Sequence, residues 1–333
     1  MPSSLCAVTV PRRICAVVVT YNRLELLREL LERLDTIAEL DEILVIDNAS
    51  TDGTGDWLAG VEGGQYDEHR AVAVLGRTLA SNRGGAGGFH DGLAWAMERG
   101  ADLAWLMDDD GLPDRDCLPR LLAETDLDFW GPVVVDRADP ERLVFPIRLP
   151  GGTKVVHDLV DVRTAARSST PRQAQDGAGS GTEGRIDGIV IPFNGVLVTR
   201  ELVNQIGLPR EEYFIWGDDH EYRLRAEAAG ARIATVVDAR VQHPAVGALG
   251  TPMAAGRTTY NHTPSDLKHY CMARNNLLNL RDYKGWPHAL AFVAKTLWFY
   301  TFTRRDLGRI RLSIGAWVAA LRGDFTGHER FLK

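Results

Sequence analysis

The sequence predicts an α/β fold, a mixed and mostly parallel sheet flanked by helices, with a helical C-terminal region. Three observations predict it. Between Cys15 and Met107, four short apolar runs alternate with segments of helical spacing or helix-opening chemistry, the pattern of strands joined by crossover helices. The runs are almost continuously apolar, as strands buried on both faces are. From Ser265 to the end the chain reads as helical, with the aromatics Trp286, Trp298, Phe299, Tyr300 and Phe302.

The elements follow in order. Cys15–Thr20 (CAVVVT) is a β-branched run and the first strand. Leu24, Leu27, Leu30, Leu31 and Leu34 then take helical spacing. Glu42–Asp47 (EILVID) is the second strand, Asp52-Gly53 a turn, and Thr54 opens a helix. Ala71–Leu75 is the third strand. Asn82–Gly88 reads as a glycine-rich loop leading into a helix over Phe89–Arg99. Leu103–Met107 is the fourth strand and runs into three aspartates. After Val135 the pattern weakens. Residues 163–184 are rich in Ser, Thr, Gly and Ala, and read equally as a mobile loop or as a tolerated surface insertion. Order returns over Ile189–Val198, with a helix over Asp219–Ala229 and a strand over Arg232–Val237.

Composition is that of an ordinary globular protein, 45% hydrophobic and 25% charged over 333 residues. A net charge of -7 provides no overall basic field, so no nucleic-acid partner is expected. Cys6, Cys15, Cys117 and Cys271 show no C-x-x-C spacing and are expected as free thiols in a reducing, cytoplasmic setting. No secretory signal is evident. Ala289–Phe302 is strongly apolar but short, and Lys295 interrupts it. The segment Pro287–Arg305, followed by basic residues, fits a peripheral helix lying in the inner face of the cell membrane. Packing of its aromatics against the catalytic domain is the alternative.

Several constellations carry chemistry. Asp108-Asp109-Asp110 follows an apolar strand, and ligands of open α/β sheets bind outside the carboxyl ends of strands. Three carboxylates there repel one another unless a cation neutralises them. On an extended segment Asp108 and Asp110 point to one side, toward a Mg²⁺ or Mn²⁺ ion able to neutralise a diphosphate leaving group, and Asp109 points elsewhere. A solvated acidic turn is the plainer reading. Thr20-Tyr21-Asn22-Arg23 and Asp47-Asn48-Ala49-Ser50 end neighbouring strands. Their rim could seat a base and ribose, with Asp47 as acceptor and Arg23 near phosphate, although Asp-Asn-Ala-Ser is equally turn and cap chemistry.

Asn82-Arg83-Gly84-Gly85-Ala86-Gly87-Gly88-Phe89 permits close backbone approach at a helix start. It matches neither the dinucleotide fingerprint nor the P-loop. Trp216-Gly217-Asp218-Asp219-His220-Glu221 opens a helix, and its carboxylates serve either as a cap or as a general base toward a hydroxyl. His243, beyond the strand Arg232–Val237, is a candidate third metal ligand.

In this order the segments resemble family 2 glycosyltransferases of the GT-A, Rossmann-like fold, over about residues 14–245. The resemblance implies a donor rim of Thr20, Tyr21, Arg23 and Asp47, joined by Asn82, Gly84, Gly85, Asp108 and Asp109. It implies a divalent cation, Mn²⁺ or Mg²⁺, on Asp108 and Asp110, with His243 as a ligand found in part of the family. Asp218 and Asp219 become the acidic pair, Asp219 acting as base in inverting transfer, with Trp216, Asn194 and His220 on the acceptor side. Residues 1–13 form an extension, 14–262 the catalytic domain and 263–333 a helical region.

The glycine stretch, the triple aspartate, Phe193-Asn194-Gly195 and Phe214–Asp219 look similar to actinobacterial galactofuranosyltransferases of the initiating type. Gly217, between Trp216 and the acidic pair, departs from the polymerising type. The narrower likeness implies UDP-galactofuranose as donor and a polyprenyl-diphosphate-linked cell-wall glycan as acceptor. Rhamnosyltransferases using dTDP-sugars share the general motifs. A non-catalytic nucleotide-sugar-binding protein is the alternative outside enzymes, and the two intact acidic motifs argue against it.

Overall fold

A computed structural model of the chain describes residues 12–62, 71–152, 154–169, 184–191, 193–246, 250–254, 256 and 258–332. The first half runs β1 (Ile14–Thr20), α1 (Leu24–Leu34), β2 (Glu42–Asp47), α2 (Thr54–Glu62), β3 (Ala73–Thr78), α3 (Gly84–Glu98), β4 (Leu103–Asp108), β5 (Leu112–Pro113), α4 (Cys117–Leu122), β6 (Phe129–Asp136), β7 (Arg142–Arg148) and β8 (Val155–Asp158). The second half runs α5 (Leu159–Ser169), β9 (Arg185–Asp187), β10 (Asn194–Thr199), α6 (Arg200–Ile206), α7 (Asp218–Ala228), β11 (Ile233–His243), β12 (Thr251–Met253), β13 (Thr258–Tyr260), α8 (Asp266–Lys284), α9 (Trp286–Trp298) and α10 (Leu307–Arg322).

The main sheet runs β3-β2-β1-β4-β10-β6-β11-β5, with β7, β8 and β9 branching from it. Strands β3, β2, β1 and β4 are parallel. Strand β10 is antiparallel to both β4 and β6, which makes β6 and its parallel partner β11 run with β4. The carboxyl ends of β1, β2, β4, β6 and β11 therefore share one edge, and β10 begins there. Every residue of β1 and of β2 is buried, as their continuous apolar runs require. Helix α1 buries Leu27, Leu30, Leu31 and Leu34 on one side, the stripe its spacing predicts.

The glycine-rich segment differs from the expectation of a loop. Helix α3 starts at Gly84, and the glycines form its first two turns. Packing supplies the reason. A Cβ at Gly88 would lie 2.4 Å from Val19 Cγ1, and one at Gly92 would lie 2.4 Å from Val17 Cγ1. Removing the side chains lets α3 press onto β1. Gly88→Ala gains up to about 1 kcal/mol of helix propensity. It loses about 1–3 kcal/mol to overpacking. Net destabilisation is expected, whereas Gly85→Ala, whose Cβ meets nothing within 4 Å, should hold or gain stability. Urea denaturation of the two variants checks this, and a Gly88→Ala midpoint above that of the parent would refute the packing account.

Residues 163–169, expected in an irregular loop, complete α5. Leu159, Val162 and Ala166 anchor this helix against β7, β8 and Ile186. The rest of that expected loop, residues 170–183, lies outside the described residues, as do 1–11 of the N-terminal extension. Strand β11 continues through His243, so that histidine ends the strand and does not follow it. The C-terminal region is helical as expected. Its segment 287–305 divides between the two readings. Phe299 and Tyr300 are fully buried, while Leu290, Trp298 and Phe302 face outward. Among the described residues no helix is long and apolar enough to cross a membrane.

Candidate active site

The shared carboxyl edge gathers the acidic segments. Register places Thr20 beside Asp47 and Val19 beside Asp108. Asp47 is fully buried. Its Oδ1 accepts the Ser50 N–H at 2.9 Å, and its Oδ2 is buried without a hydrogen-bond partner. An orphaned buried carboxylate oxygen costs stability unless something outside the chain donates to it. A nucleotide base or ribose hydroxyl would do so. Asn22 and Ala49 turn the chain off β1 and β2 with φ of 54° and 62°, left-handed values that non-glycine residues adopt at a cost. Tyr21 stands exposed above this rim.

The triple aspartate is not extended beyond Asp108, so the simple alternation expected for it fails. Asp109 is buried; it accepts from Thr20 Oγ1 at 2.7 Å and pairs with Arg23 at 3.0 Å. Arg23 also reaches Asp110 at 2.6 Å. The arginine expected near phosphate is thus held by two carboxylates at the strand end. His243 Nε2 lies 3.1 Å from the other oxygen of Asp110. Its Nδ1 must carry a proton, since the neighbouring Pro244 carbonyl at 2.7 Å can only accept.

These contacts divide the three carboxyls electrically. Burial works against ionisation of Asp110, but His243 and Arg23 outweigh it and hold the carboxyl below its ordinary value. Burial raises Asp109 despite the bonds from Thr20 and Arg23. Asp108 is pushed far up by burial, then by Asp110, Asp109 and Asp218. It carries the unmet demand for positive charge. A hard divalent cation fits that demand and this oxygen-rich donor set. Asp108, Asp110 and His243 do not already form a cage. Among the described residues no three His, Cys, Asp or Glu groups do, because Arg23 and His243 occupy Asp110.

The second acidic pair heads α7. Gly217, with φ 95°, makes the turn into the helix, and the backbone N–H of His220 donates to Asp219 Oδ1 at 2.6 Å. Asp218 is buried, and both carboxyls are raised, chiefly by burial; Asp218 is raised further by Asp219. His220 is lowered to about 4 by burial and by Arg223 and Lys284, so it is neutral at neutral pH. Asn194 starts β10 beside Met107, one residue from Asp108. Asn82 Oδ1 accepts from Gly84 N at 2.8 Å. The ends of β1, β2 and β4 and the start of β10 thus bring Thr20, Asp47, Asp108 and Asn194 to one edge, and Asp218 is among the charges that raise Asp108.

The glycosyl transferase family 2 profile matches residues 15–143, from β1 through the triple aspartate into β7. Galactofuranosyltransferase GlfT1 of Mycolicibacterium smegmatis is 30% identical over 313 residues, 90% of this chain and 93% of that protein. The chain belongs to glycosyltransferase family 2. GlfT1 of Mycobacterium tuberculosis is 32% identical, over 87% of this chain and 90% of its own length. The fold agrees with the GT-A expectation. Staphylococcus aureus TarS residues 1–349, in complex with UDP-GlcNAc, superpose with a TM-score of 0.51 at 16% identity, covering 92% of this chain and 81% of theirs.

Within this glycosyltransferase, sequence reasoning placed Asn48 in the rim but not its hold on α3, and missed a group on α8. Asn48 Nδ2 donates to Gly84 O at 2.8 Å and its Oδ1 accepts from Arg83 N at 2.8 Å, locking the head of α3 to the end of β2. Arg274, Asn275 and Asn279 are fully buried polar residues in a segment read from sequence only as helical. The available signal was an Arg-Asn pair on the buried face of a helix, where polar side chains need partners.

Proposed function

We propose that this protein is an inverting, metal-dependent galactofuranosyltransferase. It moves galactofuranose from UDP-galactofuranose to a hydroxyl of a polyprenyl-diphosphate-linked cell-wall glycan. The observation carrying the chemistry is the cluster of Asp109, Asp110, Arg23 and His243 beside Asp108 at the carboxyl edge of the sheet, with the turn leading into Asp218 and Asp219 tied to the head of α3 by Ala86 N on Phe214 O at 3.1 Å. Likeness to the two GlfT1 proteins along most of the chain supports the sugar.

In this reading Asp47, Thr20, Tyr21 and Arg23 hold the nucleotide, with Asn82, Gly84 and Gly85 beside it. Asp219 takes the proton from the acceptor hydroxyl. The hydroxyl oxygen bonds to the anomeric carbon as the bond to the diphosphate oxygen breaks, and UDP leaves with the electron pair. A divalent cation held by Asp108 and Asp110, with His243, would neutralise the departing diphosphate. Trp216, Asn194 and His220 face the acceptor. Residues 14–262 form the catalytic unit in this proposal and 263–333 its helical support.

Competition among UDP-galactofuranose, UDP-galactopyranose and dTDP-rhamnose, followed by nucleotide release with lipid-linked acceptors, tests the donor. UDP-galactofuranose is expected to give the highest kcat/KM. Preference for dTDP-rhamnose would move the protein to the rhamnosyltransferases.

The acceptor proposed is lipid-linked, and the C-terminal helices offer a surface for it. Trp286, Leu290 and Trp298 are exposed along α9, as are Phe302 beyond it and Leu307 and Leu321 on α10. Arg304, Arg305, Arg311 and Arg322 are exposed near them. Tryptophans with flanking arginines suit the headgroup region of an anionic bilayer. Each Arg near that surface contributes about 1 kcal/mol. Sedimentation with phosphatidylglycerol vesicles is expected at low salt and reduced at high salt. A protein found in the supernatant at both would remove the membrane from the reading.

A further inference from the structure

Six consecutive carbonyls, Glu212 to Gly217, immediately precede the acidic pair, and each accepts a hydrogen bond from outside the segment or across its turn. From one side, Ala86 N at the head of α3 donates to Phe214 O at 3.1 Å. From the other side, one face of α8 supplies the rest. Arg274 Nη2 reaches Glu212 O at 3.3 Å and Tyr213 O at 2.9 Å. Asn275 Nδ2 reaches Tyr213 O at 3.0 Å, Ile215 O at 3.3 Å and Trp216 O at 2.7 Å. Asn279 Nδ2 reaches Gly217 O at 2.8 Å, and its Oδ1 accepts from Tyr213 OH at 2.9 Å.

The segment needs holding. Phe214, Trp216 and Gly217 have φ of 65°, 65° and 95°, and the first two are bulky residues in the left-handed region. Such a path persists only where its surroundings over-determine it. The surroundings here are unusual in their cost. Arg274, Asn275 and Asn279 are all fully buried, and the hydrogen bonds of Arg274 go to carbonyls, to Asn275 Oδ1 and toward His328. Burying a guanidinium on backbone dipoles is an expensive way to fill a core. Close packing on the α3 side leaves little alternative path, since a Cβ on Gly84 would fall 1.9 Å from Phe214 O.

We propose that Asn275, with Asn279 and Arg274, is a positioning device of the transferase site, by which α8 fixes the strained Glu212–Gly217 turn and so aims Asp218 and Asp219 at the acceptor hydroxyl. The catalytic consequence rests on Asp219 being the base, as proposed above. These residues are fully buried and act through the backbone they hold. They hold a backbone path that the local sequence does not favour. Misplacement of a reacting group by about 1 Å costs on the order of 10²-fold in rate.

Asn275→Ala and Asn279→Asp test the device in the full-length enzyme. The second removes one donor, to Gly217 O, while keeping the oxygen that accepts from Tyr213. Expected are faster amide hydrogen exchange confined to peptides covering residues 212–219 and a fall in transfer kcat of about 10- to 100-fold. The KM for the nucleotide sugar should stay within about twofold of the parent. Unchanged exchange in residues 212–219 overturns the proposal, and so does faster exchange with unchanged kcat. A parallel loss of donor affinity and of protection in β1 and β2 also overturns it, since that marks general unfolding. Asp219→Asn in the same assay separates the two claims. Full transfer by that variant removes the base assignment, and the exchange and kcat of the α8 variants still decide whether the turn is held for activity.

Discussion

Asp219→Asn is expected to lower sugar transfer by a factor on the order of 10²–10⁴ with nucleotide-sugar binding intact. The amide keeps the size of the carboxylate and can still accept the His220 N–H, which lies 2.6 Å from Oδ1 in the parent. It cannot take a proton from the acceptor. The pH dependence has a definite sign. Burial raises the Asp219 carboxyl above its ordinary value. The ionised base is present only above that raised pKa, so kcat should fall as pH is lowered through it. That fall should begin at a higher pH than an ordinary aspartate would give. Asp219→Asn should abolish this acidic limb along with most of the rate. Rates measured from pH 4.5 to 8.5 with saturating donor check both points. A variant that transfers near normally would pass the role to Asp218, whose carboxyl is raised as well.

Much of the fold was legible because its signals are local. Continuous β-branched runs mark β1 and β2, and the leucine stripe marks α1. These patterns follow from burial on two faces or one, and they survive without knowledge of neighbours. The carboxyl-edge placement of Thr20, Asp47 and Asp108 was also legible, since strand ends can be read from where apolar runs stop. The head of α3 was not. Glycines weigh against a helix locally, and only the approach of Val17 and Val19 across the sheet explains them. The partners of Arg23 were likewise hidden, because its pairing with Asp109 and Asp110 spans more than eighty residues. The grip of α8 on the Glu212–Gly217 turn is entirely nonlocal. A buried Arg-Asn pair in sequence says that partners exist and not which carbonyls they are.

An effect of the same size is expected at Asp108. Asp108→Asn should cut turnover by about 10²–10⁴, the several kcal/mol that charge neutralisation of a leaving group is worth. The same change should leave the melting temperature in metal-free buffer unchanged or raised. Asp108 is half-buried at the end of β4 next to Asp109 and Asp110, and desolvation, these neighbours and Asp218 together oppose its charge. A neutral amide of the same shape relieves that repulsion. A residue kept at a cost to the fold, whose replacement costs activity, is explained by the ligand it serves. Mn²⁺ with UDP should raise the melting temperature of the parent, since a ligand bound only by the folded state stabilises it by mass action. Asp108→Asn should lose most of that shift, and EDTA should silence the parent. Asp110→Asn is expected to behave differently in the metal-free fold. Its carboxylate is paired with Arg23 and with His243, and removing it leaves His243 without its carboxylate and Arg23 with Asp109 alone. The melting temperature should therefore fall in Asp110→Asn and hold in Asp108→Asn, although both lose turnover. Full turnover of the parent in EDTA would overturn the metal reading, and a marked loss of stability in Asp108→Asn would make that carboxylate structural.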